Sequence, residues 1–231
     1  MRSVPLKTLP LKTVPLISLG IALAFLAGCA SQTSTSAPSA APNTATESVV
    51  IRPVTRSGLP AAGYTVTDDN AVTVDCGSTS ANARPSPAAV DDNILSCSPS
   101  SAYAVACWQD PAPSVVICYR DPWKSDVVRM PSEGGFPEVV APSQGQPLGL
   151  LLSDGDRCLI RAGGVWNDLA DHPGWYGTYA CSGNSAVWAN SADGIDRSSP
   201  LWTVQVAPIS GVGPLDTRGV VKAYFVGTED D

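Results

Sequence analysis

The stretch Leu148-Gly149-Leu150-Leu151-Leu152-Ser153-Asp154-Gly155-Asp156-Arg157-Cys158-Leu159-Ile160-Arg161 decides the fold class. Two short runs, Leu148–Leu152 and Arg157–Arg161, flank an Asp-Gly pair, the strongest short-range signal for a β-hairpin. A two-residue turn at Asp154-Gly155 predicts Leu151 opposite Cys158 and Gly149 opposite Ile160. Further along, Gly183-Asn184 suits a type II′ turn between Tyr176–Cys181 and Ala186–Ala189. That turn predicts Tyr179 opposite Trp188, an aromatic cross-strand pair worth ~0.5–1 kcal/mol.

Working outward, short β-rich runs separated by Pro, Gly, Asn and Asp continue the pattern. Expected strands are Val49–Val54, Tyr64–Thr67, Ala71–Asp75, Val115–Tyr119, Val127–Met130, Leu201–Val206 and Val220–Val226. One short helix is expected at Ser100–Cys107, with Ser98 as N-cap and Pro99 at the first helical position. The fold class is therefore all-β, mostly antiparallel and sandwich- or barrel-like, with at most one or two short helices. It occupies a single domain over residues 48–231.

Seven cysteines occur in the chain, and six of them fall inside that domain: Cys76, Cys97, Cys107, Cys118, Cys158 and Cys181. No C-x-x-C pair is present and His172 is the single histidine, so zinc spacing is absent. An even set of cysteines points to three disulfides in an exported chain. The sequence leaves the connectivity open. Cys158–Cys181 is favoured because both lie in strands of adjacent hairpins, and Cys97–Cys107 would staple the expected helix.

The seventh cysteine, Cys29, ends a different kind of segment. Arg2, Lys7 and Lys12 precede an apolar stretch from Val14 to Ala27, the length of a signal-peptide h-region and shorter than a bilayer-spanning helix. Leu26-Ala27-Gly28-Cys29 resembles the lipobox of bacterial lipoproteins. The resemblance implies cleavage before Cys29, diacylglyceryl and further acyl chains (palmitate among them) on that residue, and anchorage at the extracytoplasmic face of the cell membrane. Two or more acyl chains give stable anchoring where one does not. Residues 1–28 then form the signal peptide. Residues 29–47, Ser-, Thr-, Ala- and Pro-rich, form a flexible tether that cannot bury enough apolar surface to order itself.

Charge narrows the partners. The formal net charge is −7, and because residues 1–28 carry three cations and no acid, the processed chain stands at −10. No basic patch exists to collect phosphates, which excludes a nucleic-acid partner. Membrane contact falls to the lipid on Cys29.

Nothing in the domain spells out a reaction. His172 sits in the turn sequence Asp171-His172-Pro173-Gly174, and no serine lies in a G-x-S-x-G elbow. The four glutamates, Glu47, Glu133, Glu138 and Glu229, lie near termini or in loop-like sequence, which gives no evident pair for glycoside hydrolysis. Asp154-Gly155-Asp156 and Asp193-Gly194-Ile195-Asp196 carry oxygen ligands close together, but read first as turns because the full calcium loop is missing. No catalytic residue, metal ligand or cofactor is assigned. Tryptophan is frequent, and Trp166 and Trp175 flank the polar loop Asn167–Gly174. They are the candidate binding residues, facing an envelope glycan or a protein partner.

Cys107-Trp108, Cys118-Tyr119-Arg120-Asp121-Pro122-Trp123, Arg161-Ala162-Gly163-Gly164 and Pro200-Leu201-Trp202-Thr203-Val204 resemble motifs of exported lipoproteins of mycobacteria and related actinobacteria, many of them uncharacterised. The resemblance implies an envelope location and no activity. The expectation is a lipid-anchored, non-enzymatic binding or interaction module. The alternative is an envelope hydrolase of glycan or peptide with an unrecognised carboxylate pair. A solute-binding lipoprotein is a third reading, disfavoured by the short chain and the lack of a repeated βα pattern.

Overall fold

Val115-Val116-Ile117-Cys118-Tyr119 is apolar at every position, whereas a half-buried strand alternates. In the computed structural model this run is covered on both faces. Ile117 and Tyr119 pack into one core with Ala106, Trp108 and Val127, while Val116 and Cys118 pack into another with Cys107, Val128 and Met130. The structure describes residues 44–77, 83–163, 168–190 and 193–231.

Thirteen strands and one 3₁₀ turn build the described part. They are β1 (Glu47–Thr55), β2 (Thr65–Asp68), β3 (Val74–Asp75), the turn Ser100–Ala102, β4 (Ala106–Gln109), β5 (Val115–Tyr119), β6 (Asp126–Glu133), β7 (Gly149–Leu152), β8 (Arg157–Ile160), β9 (Tyr176–Cys181), β10 (Ser185–Ala189), β11 (Ile195–Asp196), β12 (Thr203–Pro208) and β13 (Asp216–Glu229). The all-β expectation holds. Strands β13-β7-β8-β9-β10-β12 are joined antiparallel in that order, and β12 pairs back onto β13 to close a six-stranded barrel. Closure is possible because β13 serves several partners along its length. Asp216–Gly219 pair with β12, Val220–Tyr224 with β7, and Lys222–Glu229 run parallel to β1. A register shift between Val220 and Lys222 marks the change of partner.

The second sheet runs β2-β6-β5-β4, with β3 also parallel to β6. Its Trp108, Ile117, Tyr119 and Val127 face the inward residues of the barrel, among them Leu150, Leu152, Ile160, Tyr179, Val204 and Val206, in one continuous core. A smaller cluster sits apart from that core, where Leu169 and Trp175 cover Ala186, Trp188 and Ala207.

Several sequence expectations shift by one residue. In the first hairpin Gly149 faces Leu159 and Leu150 faces Cys158, rather than Gly149–Ile160 and Leu151–Cys158. The Gly155 N–H donates to the Leu152 carbonyl, the Leu152 N–H to the Asp156 carbonyl, and Gly155 adopts φ +92°. This is a three-residue loop with a left-handed third residue, so the strands re-enter one residue out of step with a two-residue turn. Asn184 (φ 57°) plays the same part in the second hairpin. Tyr179 therefore faces Val187, and a further shift sets Trp188 opposite Gly177. Tyr179 points into the barrel and Trp188 belongs to the separate cluster, so the expected Tyr179–Trp188 pair is absent.

The expected helix Ser100–Cys107 is also corrected. Only Ser100–Ala102 turn; Pro99, not Ser98, is the cap residue, and it makes no side-chain cap bond. Ala106–Gln109 is strand β4, because Cys107 stands directly opposite Cys118 of β5 and the two are bonded. The disulfides are Cys76–Cys97, Cys107–Cys118 and Cys158–Cys181. The favoured third pairing is correct, and Cys97–Cys107 is not. The described fold also includes residues just ahead of 48. The Thr46 hydroxyl donates to the Val220 carbonyl at 2.7 Å, and Glu47 pairs with Lys222 at 2.9 Å.

Candidate functional site

Of the two tryptophans proposed for binding, Trp166 lies outside the described residues. Cys29 lies outside them as well. Trp175 is half-buried. The chain from Leu169 folds into two consecutive tight turns, with the His172 N–H bonded to the Leu169 carbonyl and the Trp175 N–H to the His172 carbonyl. Leu169 is buried and anchors these turns, and the Ala170 N–H donates to the Gly211 carbonyl. Trp175 thus packs with one side on the cluster of Leu169, Ala186, Trp188 and Ala207, and its ring lies 5.0 Å from the His172 ring. His172 is half-buried on this loop rather than set in a catalytic group. The exposed side chains of Tyr176, Ile209 and Val212 lie in the same two chain segments.

A cleft of about 760 Å³ lies elsewhere. It is bounded by Arg56 and Gly58 after β1, by Asp91-Asp92-Asn93, by Trp108 and Gln109 of β4, and by Phe136 and Glu138. Sequence reading missed it, because its walls come from three loops and strand β4, with no common motif. Its carboxylates are partly committed to holding those loops. Asp91 accepts from the Arg52 guanidinium at 2.5 Å and from the Thr228 N–H at 2.8 Å. Burial pushes the Asp91 carboxyl up, but these two donors outweigh it and hold the carboxyl below its ordinary value. Asp92 Oδ1 accepts the Ala141 N–H at 2.8 Å, and Asn93 Oδ1 the Val139 N–H at 3.1 Å. Trp108 is buried, and its indole N–H donates to the Thr228 hydroxyl at 2.9 Å. The cleft can therefore bind a polar molecule.

The two aspartate-rich turns hold cations of the protein itself. The Arg218 guanidinium binds Asp154, lies 3.1 Å from Asp156, and ties β13 to the β7–β8 turn. Arg197 pairs with Asp193 at 2.5 Å, and its guanidinium lies 4.9 Å from the Trp202 ring centre. Asp196 Oδ1 accepts the Ser198 N–H. Among the described residues no group of three or more His, Cys, Asp or Glu side chains is arranged to hold a metal ion. No helix among them is long and apolar enough to cross a membrane.

The motif Cys118–Trp123 builds a corner. The Tyr119 hydroxyl donates to the Lys124 carbonyl at 3.0 Å, and Asp121 Oδ1 accepts the Trp123 N–H at 2.9 Å. Arg120 donates to the Ala102 carbonyl at 2.6 Å and lies 3.3 Å from Asp69. No family model matches the sequence, and no curated protein or solved structure is significantly similar to it.

Proposed function

We propose that this chain is a lipid-anchored protein of the extracytoplasmic face of the cell membrane, held through Cys29 and acting there as a non-enzymatic binding module for an envelope glycan or protein partner. The observation that carries the reading is the pairing of all six cysteines after Cys29 with one another. That pattern belongs to an oxidising, exported setting. It leaves Cys29 as the one cysteine outside these three pairs, placed where a lipobox requires it. Three buried or half-buried disulfides also suit a rigid display platform. Recognition is assigned to the half-buried Trp175, on the loop over β10 and β12, and to Trp166 from its place in the sequence.

One observation favours the hydrolase alternative: Asp92 and Glu138 line the same open cleft. Against it, Asp91 is ion-paired and Asp92 holds a loop backbone, so both carboxyls already serve the fold. If the alternative holds, D92N and E138Q abolish turnover of purified cell-wall material. Under the binding reading there is no turnover to abolish.

The anchor is tested with Cys29→Ala, followed by detergent phase partitioning and mass spectrometry of the N-terminus. The expected product is an uncleaved, unlipidated precursor. A variant still cut before position 29 and still partitioning with lipid overturns the reading.

A further inference from the structure

We infer that a trough on the outer wall of the barrel, over β8 and β9, binds an acidic sugar unit, a pyranose carrying a carboxylate. The trough has a volume of about 370 Å³. Its floor is Leu159 and Ala180, direct cross-strand neighbours, and Asp121, Trp123, Lys124 and Arg157 stand around it. This site is separate from the Trp175 loop, and depends neither on that loop nor on the anchor.

Arg157 carries the argument. Among the described cations, Arg52, Arg56, Arg120, Lys124, Arg129, Arg197, Arg218 and Lys222 each lie within 4.0 Å of a carboxylate. In a chain this acidic, pairing is the rule. Arg157 is exposed, has no carboxylate within that distance among the described residues, and sits instead with its guanidinium 5.6 Å from the Trp123 ring centre. An arginine laid on an aromatic ring keeps its N–H donors and gives up little further freedom when they engage an anion.

Trp123 is itself fixed. The Asp121 side chain holds its backbone, Tyr224 meets its ring edge-on at 5.5 Å, and its far edge lies over Gly149, where a Cβ would fall 2.9 Å from Cη2. The site thus offers one uncompensated planar cation, a held indole and a small apolar floor. A sugar ring supplies C–H groups for the floor, and its carboxylate matches the guanidinium fork. Lys124 is shared with Asp121 at 3.7 Å, so the net charge of the trough is positive despite the acidity of the chain. Repulsion from more distant carboxylates is screened beyond ~8 Å at physiological salt.

The test is titration of the full-length chain in detergent micelles with trigalacturonate, and with neutral trigalactose as reference, by calorimetry and amide NMR. Expected are shifts at Trp123, Arg157, Leu159 and Ala180, and a loss of affinity of about tenfold or more in R157Q, because a charge-assisted bond is removed. R84Q removes the same charge from an exposed arginine outside the trough, and is expected to bind within about twofold of the parent if the contact rather than net charge matters. Equal binding of trigalactose, equal loss in R157Q and R84Q, unchanged affinity in R157Q, or no binding of trigalacturonate each overturns the inference. Shifts confined to the Asp168–Tyr176 segment do so too, and would support the Trp175 reading instead.

Discussion

At the scale of single residues, the tryptophans divide by how fully the fold covers them. Trp188 is 1% exposed and closes the cluster under the Leu169 loop, while Trp175 covers that cluster from outside and keeps part of its ring in solvent. Removing a buried indole costs its transfer energy plus a cavity, so Trp188→Ala is expected to lose ~3–5 kcal/mol in chemical denaturation. Trp175→Ala is expected to lose ~1–2 kcal/mol, because only part of its surface leaves water on folding. Equal losses would assign Trp175 wholly to packing and remove it as a recognition residue. The side Trp188 takes is set by the register of β10, which no local pattern encodes, whereas Trp175 precedes β9 and is placed by the tight turn from His172.

Elements were read well where the pattern was local. β5 appears as expected over Val115–Tyr119, and β9 over Tyr176–Cys181. Register was missed, since Gly155 and Asn184 each take a left-handed conformation at the third loop position and so add a residue to the turn. β11, two residues long, was missed, and Ala71–Asp75 shortens to Val74–Asp75 as β3. β4 was hidden because Tyr103-Ala104-Val105 fits helix and strand alike, and only the partner strand settles it. Gly149 links two elements. Its Cβ would lie 2.7 Å from Pro122 Cγ and 2.9 Å from Trp123 Cη2, so the corner after β5 rests on the bare backbone of β7. Gly149→Ala is therefore expected to cost ~1–3 kcal/mol through overpacking. It should also displace Trp123, seen as altered amide shifts at Trp123 and Arg157. A variant as stable as the parent with unshifted amides would show that the corner does not rest there.

Across the whole molecule, two disulfides reinforce strands that are already paired, and the third ties down a segment between the strands. Cys107–Cys118 and Cys158–Cys181 each join strands already paired, one in each sheet. Cys76–Cys97 joins the segment after β3 to the chain before the 3₁₀ turn, which is otherwise held there by the bonds between Asp75 and Ser98. Thiol titration of the denatured, non-reduced chain should find no reactive thiol among these six. Replacing the Cys76–Cys97 pair by alanine is expected to cost ~2–4 kcal/mol. Two or more reactive thiols in the folded domain would contradict the pairing.

The sequence by itself determined what depends on neighbours along the chain. The period-two runs and Asp-Gly turns dictated strands and hairpins, the even cysteine set dictated disulfides, and the apolar segment ending at Cys29 set the expectation of an anchor. Only the tertiary structure decided which cysteine meets which, how deeply each tryptophan is buried, and that β13 closes a barrel by pairing with both β7 and β12. It also brought Trp123, on the corner between β5 and β6, to Arg157 of β8. The reason is physical: these contacts join residues far apart in sequence. They are selected by packing two sheets around one core and by a one-residue register that no local propensity encodes.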